Sequence, residues 1–303
     1  MMTVTLDICL CTFQRPIVAD TLASLEAAER PKGLSVRVIV IDNDAVPSGQ
    51  AVVETAGQRM TLPVVYAHVP GGNIAIARNA ALDRADADWI AFLDDDERVD
   101  PFWFIQICKS LTSGQADAIF GPAVANYPPS APAWMKQAQP HAQPVPVRGG
   151  QIHTGHTCNA ALRWADTAWQ AVRFDTNFGQ SGGEDTMFFA AIKAAGARFG
   201  ATDATVYEDV PEARLRFRWL ARRRFRIGQT NGVSDILTGG RGRRTLSASA
   251  KVLACAAMTI LTGLTPARRN MWALRLVMHA GVVAACLGMR PAQLYGHTPP
   301  PNA

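Results

Sequence analysis

The 303-residue sequence predicts an α/β fold of the doubly wound kind. Short apolar runs alternate with segments of helical spacing through the first 120 residues, as in a sheet covered by helices. Residues 36–41 are apolar at nearly every position, which is typical of a parallel strand buried on both faces. Polar residues follow the runs at Thr12, Asp42 and Asp94. Ligands bind there in such folds, beyond the carboxyl ends of the strands.

Each element follows from its local pattern. Strands are predicted where apolar runs are short and bounded by turn residues: residues 4–11, 36–41, Val64–His68, 89–93 and Ala118–Phe120. Helices are predicted where apolar residues recur every three or four positions: residues 16–30, 51–59, 74–87, 101–111 and 184–195. Residues 126–150 are rich in Pro and Gln without periodicity, and are predicted to form a loop over or beside the ligand cleft.

Composition and cysteine usage point to a reducing compartment. The chain is long enough to bury a full core, with 48% hydrophobic and 18% charged residues. Six cysteines are scattered without zinc-like pairs, and Cys9 and Cys11 share a strand face, where they cannot bridge. The N-terminus lacks a basic stretch before an apolar one, so no signal peptide is expected. We therefore expect a cytoplasmic location.

The last third of the chain is basic and apolar. Residues 214–226 contain seven arginines interleaved with Leu, Phe and Trp. Of two apolar segments that follow, residues 252–264 are too short to span a bilayer, which needs about 20 apolar residues. Residues 271–289 are long enough but contain Arg275 and His279, which are costly inside a membrane.

We expect these helices to lie in the membrane interface, anchored by the basic stripe on the inner face of the cytoplasmic membrane. A helical subdomain packed on the sheet is the alternative. RNA could also bind an arginine stripe, but nothing resembling an RNA-binding module accompanies it, so no nucleic acid partner is expected.

Three consecutive aspartates, Asp94, Asp95 and Asp96, follow the apolar run 89–93. Carboxylates clustered at a strand end repel one another, so the cluster favours a cation. Their oxygens suit Mg²⁺ and Mn²⁺, and Mg²⁺ is usually held by one or two carboxylates plus substrate phosphates. For such a triplet taken alone, a solvated acidic turn is the alternative.

Other segments at the same sheet edge favour a nucleotide. The polar and aromatic loop at residues 11–15 could hold a flat base, and Asp42 could accept from a base N–H. Gly71 and Gly72 precede a helix, where glycines allow an anion to approach the backbone closely.

Together, in this order, these segments resemble glycosyltransferase family 2 across roughly residues 4–225. The resemblance rests on Leu-Cys-Thr-Phe-Gln-Arg-Pro, Val-Ile-Asp-Asn, Gly-Asn-Ile-Ala-Ile-Ala-Arg-Asn, Phe-Leu-Asp-Asp-Asp-Glu and Gly-Gly-Glu-Asp-Thr-Met-Phe-Phe. It implies a GT-A fold (a doubly wound, Rossmann-like mixed sheet), a nucleotide-sugar donor, a divalent metal (Mg²⁺ or Mn²⁺) and inversion at the anomeric carbon. We expect a catalytic domain at residues 1–225 and a C-terminal helical, membrane-associated region at 226–303.

The resemblance also implies residue roles. Donor contacts would come from Thr12, Phe13 and Arg15 around the base, Asp42 on the base (typically uracil), and Asn73, Arg78 and Asn79 near base and ribose. Metal contacts would come from Asp94, nearer the ribose, and from Asp96, while Asp95 holds a variable position expected to tolerate change. Asp185 would be the base that accepts the acceptor's proton, and Glu184 would position the acceptor or Asp185.

Two departures from the family pattern matter. Glu208 stands near the place where many relatives carry a metal-binding His, so it could be a third metal ligand or a group that supports the ligands. Processive synthases carry Gln-x-x-Arg-Trp, whereas here Leu215 precedes Arg218 and Trp219 at the Gln position. This departure favours addition of a single sugar.

The segments Glu-Asp-Val-Pro and Arg-Trp-Leu-Ala-Arg-Arg-Arg-Phe-Arg-Ile-Gly are similar to exopolysaccharide glucosyltransferases of the succinoglycan type. That similarity implies transfer of one sugar, expected to be glucose from UDP-glucose, to a lipid-linked saccharide acceptor; another lipid or a small glycoside stays open. Asn159 matches a position that often faces the acceptor, while His153 and His156 are expected to be structural or surface residues.

Two other function classes stay open. A sugar-phosphate nucleotidyltransferase normally shows a Gly-rich basic loop after the first strand, and residues 11–16 contain no glycine. A non-catalytic nucleotide-sugar binder would be expected to lose the acidic pair Glu184 and Asp185, which is present.

Overall fold

The computed structural model describes residues 3–289, apart from the side chains of Arg148 and residues 234–239. The end of the predicted C-terminal region, residues 290–303, lies outside this range. The strands are β1 (Val4–Thr12), β2 (Leu34–Asp42), β3 (Val64–His68), β4 (Trp89–Asp94), β5 (Glu97–Val99), β6 (Ala118–Phe120), β7 (Ala123–Asn126), β8 (Val147–Arg148), β9 (Gln151–Ile152), β10 (Asn159–Arg163), β11 (Phe199–Ala201) and β12 (Val206–Asp209). The α-helices are α1 (Val18–Ala27), α2 (Gln50–Gly57), α3 (Ile74–Leu82), α4 (Trp103–Thr112), α5 (Ala133–Ala138), α6 (Glu184–Ala194), α7 (Phe217–Gly239), α8 (Arg241–Leu261) and α9 (Pro266–Cys286).

The main sheet has the strand order β11-β6-β10-β4-β1-β2-β3, and β10 runs antiparallel to both of its neighbours. This is the predicted mixed, doubly wound α/β sheet. In the parallel part, Thr12 pairs with Asp42 and Cys11 with Asp94. The loops after β1, β2 and β4 therefore meet at one edge, which is where the sequence placed the ligand.

Both faces of the sheet are buried. In β2, Val36, Val38 and Val40 belong to one hydrophobic cluster, whereas Ile39 and Ile41 belong to another. Because successive strand residues point to opposite faces, each face packs against its own layer of helices. The nearly continuous apolar pattern of this strand is explained by that arrangement.

A smaller sheet, β5-β12-β7, lies beyond the end of β4. β5 and β12 are antiparallel, and Glu208 pairs directly with Glu97. This pairing brings a residue from late in the chain next to the aspartate triplet.

The predicted loop at 126–150 contains a short helix, α5, so that prediction is corrected. Met135 on α5 is fully buried in a cluster with Leu220 of α7 and Leu274 of α9. The segment therefore docks against the C-terminal helices, and six helical residues among prolines are too few to show a periodicity.

The C-terminal helices pack on one another through glycines. A Cβ on Gly228 of α7 would lie 1.9 Å from the carbonyl oxygen of Met278, and one on Gly281 of α9 would lie 2.1 Å from that of Phe225. Because α7 continues through residues 225 and 226, the expected domain boundary falls inside this helix.

Residues 252–261 of the segment considered too short to span a bilayer belong to a longer helix. α8 begins at Arg241 and has 21 residues, so within the described part of the chain it is the helix long and apolar enough to cross a membrane, by length and composition alone. Leu246, Leu253 and Ile260 on α8 are each at least 72% exposed. Their seven-residue spacing puts them on one face of the helix.

Candidate active site

The loop after β1 is tied to the aspartate triplet. The Thr12 hydroxyl donates to Asp95 Oδ2 at 2.8 Å, and Arg15 Nη1 donates to Asp95 Oδ1 at 3.0 Å and to Asp96 Oδ2 at 2.8 Å. Thr21 on α1 also donates to the Asp95 carbonyl. Asp95 is therefore a buried anchor of the site rather than the tolerant position expected from its place in the motif.

Arg15 was expected to line the nucleobase pocket, but its guanidinium lies over the acids. Its positive charge lowers the pKa of Asp95, yet burial is the larger effect and raises that pKa to about 6. Phe13 next to it is half-buried, as a residue lining a pocket would be.

Asp94 is the most open acid of the triplet, with 43% of its side chain exposed. Desolvation and the charges of Asp95 and Asp96 nevertheless raise its pKa to about 7, against the opposing charge of Arg78. Beneath it, buried Glu97 accepts the Asp94 backbone N–H at 2.8 Å, so Glu97 holds the turn.

The predicted metal ligands are only partly available to a metal. Within residues 3–289, no three acid, His or Cys side chains come together as a metal-binding group. Glu208 accepts a short hydrogen bond from Arg214, and Asp96 pairs with Arg15. Asp94 and Asp96 still offer the two hard carboxylates that Mg²⁺ or Mn²⁺ requires beside a diphosphate, so they fit the metal. Glu208 is paired with Arg214 much as Asp96 is paired with Arg15, and its role as a third metal ligand stays a prediction.

Asp42 is fully buried and holds the loop after β2. Its Oδ2 accepts from the Gly49 backbone N–H at 2.7 Å and from the Tyr66 hydroxyl at 2.9 Å, and its Oδ1 accepts from the Asp44 N–H at 3.1 Å. Asp44 in turn accepts from Gln14 of the β1 loop. The structure thus gives Asp42 a loop-shaping role, and its direct contact with a base stays a prediction.

The N-terminus of α3 is closed to an anion. The Asn73 side chain caps the helix by accepting the N–H groups of Ala75 and Ile76, and the Ile74 N–H donates to the Gly179 carbonyl. Asn79 accepts the Phe174 N–H at 2.8 Å and donates to the Phe174 carbonyl at 2.9 Å. Asn73 and Asn79 therefore fix neighbouring backbone, and their predicted place near the base and ribose stays a prediction.

Arg78 is the residue of α3 that reaches the site. Its Nη1 donates to Glu184 Oε1 at 2.5 Å, its Nη2 lies 3.7 Å from Asp94 Oδ1, and its guanidinium lies 5.6 Å from the centre of the Phe174 ring. One buried cation therefore joins the aspartate triplet to the acidic pair that opens α6, although 90 residues separate Asp94 from Glu184 in the chain.

The two acids at the start of α6 have opposite environments. Burial raises the pKa of Glu184, whose Oε2 has no hydrogen-bond partner among the described residues. Burial also acts to raise the pKa of Asp185, but its contact with His156 and the charge of Arg78 outweigh burial and lower that pKa. Neighbouring acids whose pKa values are pushed apart commonly take different catalytic roles.

Asp185 is the more accessible of the pair, with 22% of its side chain exposed. Its Oδ1 accepts the Thr186 N–H at 2.6 Å, and its Oδ2 lies 3.6 Å from His156 Nδ1. Gly182 and Gly183 precede the helix with φ of +89° and +100°, a backbone shape that only glycine adopts without strain. This turn delivers Asp185 to the cleft with its carboxylate ionised at neutral pH.

Sequence reasoning missed or misplaced several functional positions. Asn159 is buried, accepting from Trp103 Nε1 and donating to the Ala204 carbonyl, so it supports the fold, and its contact with an acceptor stays a prediction. His153 is exposed, as expected, whereas His156 contacts the predicted base. The signal for His156 was weak, because a lone histidine near a Pro-rich segment has no fixed spacing from Glu184 and Asp185.

The sheet topology, the aspartates beyond β4 and the acidic pair opening α6 define a GT-A glycosyltransferase. Residues 7–166 match the description "Glycosyl transferase family 2". The chain is 42% identical over 298 residues to the succinoglycan biosynthesis protein ExoM of Rhizobium meliloti (strain 1021), covering 97% of this chain and 96% of that protein. The chain belongs to glycosyl transferase family 2, which selects the first of the three function classes left open by the sequence.

Solved structures share the fold. The mannosyltransferase PcManGT from Pyrobaculum calidifontis, in complex with GDP-Man and Mn²⁺, superposes with a TM-score of 0.63 at 17% identity, covering 95% of this chain and 87% of that one. S. aureus TarS 1-349 in complex with UDP-GlcNAc gives a TM-score of 0.52 at 14% identity, covering 94% of this chain and 89% of that one.

Proposed function

We propose that this chain transfers a single sugar, with inversion, from a nucleotide-sugar donor to a lipid-linked saccharide in exopolysaccharide or cell-surface glycan biosynthesis. The name of the similar R. meliloti protein supports the pathway class, and the nucleotide-sugar complexes of the solved relatives support the donor class. Within that class, UDP-glucose is the donor we propose. The carrying observation is Arg78, which joins Asp94 to the Glu184 and Asp185 pair and so makes one site from the donor and base motifs.

The residues divide the chemistry among them. A divalent metal held by Asp94 and Asp96 would supply Lewis-acid stabilisation of the diphosphate. Asp185 takes the proton of the acceptor hydroxyl as that oxygen bonds to the anomeric carbon and the bond from carbon to phosphate oxygen breaks. His156 orients Asp185, and Glu184 is held by Arg78 beside it. The nucleoside diphosphate leaves, and Asp185 then loses its proton to solvent.

The test separates binding from transfer. Asp185→Asn should stop transfer of glucose from UDP-glucose while leaving UDP affinity within about twofold, since the substitution removes only the proton acceptor. Asp83→Asn, at an exposed acid paired with Arg173, is the matched control and should keep full activity. Transfer by Asp185→Asn at the wild-type rate would place the base elsewhere.

The identity of the donor is tested separately by thermal shift with a panel of nucleotide sugars and Mn²⁺. Stabilisation by another nucleotide sugar, but not by UDP-glucose, would overturn UDP-glucose as the donor.

We also propose that α8 and the arginine-rich start of α7 bind the inner surface of the cytoplasmic membrane, where a lipid-linked acceptor would be found. The exposed apolar face of α8 supports this, because it lies between Arg243 and Arg244 at one end and Arg268 and Arg269 beyond the other. Such a pattern suits a helix lying among anionic headgroups.

A further inference from the structure

The turn after β12 places an arginine where the family pattern suggests a metal ligand. Residues Glu212–Arg214 form a single 3-10 turn. From it, Arg214 Nη1 donates a short hydrogen bond to Glu208 Oε1, and Nη2 lies 3.8 Å from Asp96 Oδ2. Glu208 is thus neutralised by a neighbour six residues on, and the cation rather than the acid is what reaches the triplet.

Three segments hold Arg214 in place: β12 through Glu208, α7 through Trp219, and the segment that carries His141. Its guanidinium lies 5.4 Å from the centre of the Trp219 ring on α7. Its carbonyl oxygen lies 3.2 Å from His141 Nε2, while His141 Nδ1 lies 2.8 Å from the Tyr127 hydroxyl. If Nε2 carries the proton and Tyr127 donates to Nδ1, every group in this chain of bonds is satisfied, which assigns the neutral tautomer. Burial lowers the pKa of His141 to about 4, consistent with that neutral form.

The position of Arg214 matches the needs of a leaving diphosphate. Asp96 is shared between Arg15 and Arg214, so both guanidinium groups reach the residue proposed to hold the metal of the diphosphate. Arginine binds phosphate through a planar fork of N–H donors and stays charged at every working pH. A cation already fixed in place loses little entropy when the charge of the leaving group develops.

We infer that Arg214 is a further catalytic residue that binds the diphosphate of the nucleotide donor and stabilises the leaving nucleoside diphosphate, and that Glu208 positions Arg214 instead of ligating the metal. The inference rests on the proposed function, because it needs a nucleoside diphosphate at this site. A fixed positive charge then stands beside Asp96 where the family pattern suggests a third metal ligand.

Binding of UDP and of UMP to the full chain, measured by calorimetry with Mn²⁺, tests the first half. Arg214→Met should weaken UDP binding at least tenfold and UMP binding by no more than about threefold, and Arg214→Lys should recover part of the loss. Arg222→Met removes an exposed arginine of α7 and should bind UDP as the wild type does. Wild-type UDP affinity in Arg214→Met, or equal losses for UDP and UMP, would overturn the assignment.

The second half is tested by Mn²⁺ binding without nucleotide, followed by electron paramagnetic resonance. Glu208→Gln should keep the Mn²⁺ dissociation constant within about twofold and weaken UDP a few-fold, since Arg214 loses its anchor. A tenfold loss of Mn²⁺ affinity would instead make Glu208 a ligand. If the wild-type chain binds neither UDP nor another nucleoside diphosphate, the proposed function fails and this inference with it, an outcome distinct from failure of the variants alone.

Discussion

The two parts of the chain carry opposite charge and arrange it differently. Residues 1–212 contain 24 acidic and 15 basic residues, whereas residues 213–303 contain 1 acidic and 15 basic residues. In the first part, buried acids meet arginines, as Asp95 meets Arg15 and Glu184 meets Arg78. In the second part, acids are too few to neutralise the arginines, and aromatic rings and carbonyls take that place.

Two contacts of the helical part show carbonyls and aromatic rings in the place of acids. Arg224 donates to the Pro140 carbonyl at 3.0 Å, and Arg275 lies 4.6 Å from the centre of the Trp272 ring. Neither contact removes net charge. The sheet part is therefore built around a compact site in which acids meet arginines, one of them Arg214 of the helical part, while the helical part retains a surplus of positive charge that only groups outside it can neutralise.

The largest effect is expected where the internal balance is broken. Arg78→Met should lower the free energy of unfolding by about 3–5 kcal/mol, because it leaves the buried Glu184 carboxylate without its cation. Urea unfolding followed by circular dichroism measures this loss. Transfer activity should also fall steeply, since Glu184 and Asp94 lose their shared partner.

The matched control is Arg173→Met, which breaks the exposed pair between Arg173 and Asp83 and should cost no more than about 1 kcal/mol. If both substitutions cost the same, the pair of Arg78 and Glu184 is not the balanced, buried element that distinguishes the sheet part.

A second effect, of about 3 kcal/mol, concerns His141, where the two parts meet. Its pKa in the fold is about 4, against about 6.5 in an unfolded chain, so between these values only the unfolded chain takes up the proton. Stability from this group is complete above pH 6.5 and is lost as pH falls toward 4. Thermal unfolding should therefore show the wild type losing its advantage over His141→Gln across that window. A constant difference between pH 7 and pH 4 would mean that His141 is not held neutral.

Much of the fold could be predicted because its signals are local. The main-sheet strands β1 to β4 and β6, with helices α1 to α4 and α6, follow from apolar periodicity, and their ends move by only a few residues. The predicted helix at 74–87 stops at Leu82, since the chain must then turn toward β4. The helix α5 was not predicted, because a short helix among prolines shows no apolar periodicity.

The contacts within the site were harder to predict from the sequence, since the hydrogen-bond partners of a side chain depend on tertiary packing, which motif spacing does not show. The motifs located the correct sheet edge, but Asp42, Asn73 and Asn79 proved to be bonded into the backbone around it. The contact between Arg78 and Glu184 joins residues 106 apart in the chain. The pairing of Glu208 with Arg214 could not be predicted, because it depends on the 3-10 turn after β12 that brings Arg214 back to Glu208.

A third effect, of about 1–3 kcal/mol, concerns the contact between the base motif and α7. Gly182→Ala and Gly183→Ala should each cost about 1–2 kcal/mol, because both positions have a left-handed backbone. Only Gly183→Ala adds a clash, since its Cβ would lie 2.0 Å from Thr230 Cγ2, whereas nothing lies within 4 Å at Gly182. The extra loss in urea unfolding should disappear when Thr230→Ala is combined with Gly183→Ala. Equal losses of unfolding free energy for the two glycine substitutions would mean that the contact between Gly183 and Thr230 of α7 does not constrain the turn before Asp185.

The smallest effect tests whether the surplus charge and the exposed face of α8 act together. Leu253→Glu and Ile260→Glu should each weaken binding of the full chain to vesicles of phosphatidylglycerol and phosphatidylcholine by roughly tenfold, or about 1.4 kcal/mol, because partial burial of such a side chain in the headgroup region contributes less than full burial would. Sedimentation with the vesicles measures this loss, and added salt should weaken wild-type binding as it screens the arginines. Val46→Glu, at a valine of the sheet part that is 61% exposed, should bind as the wild type does. If neither α8 substitution changes vesicle binding but added salt still weakens it, the arginines alone make the membrane contact. The apolar face of α8 would then need another partner.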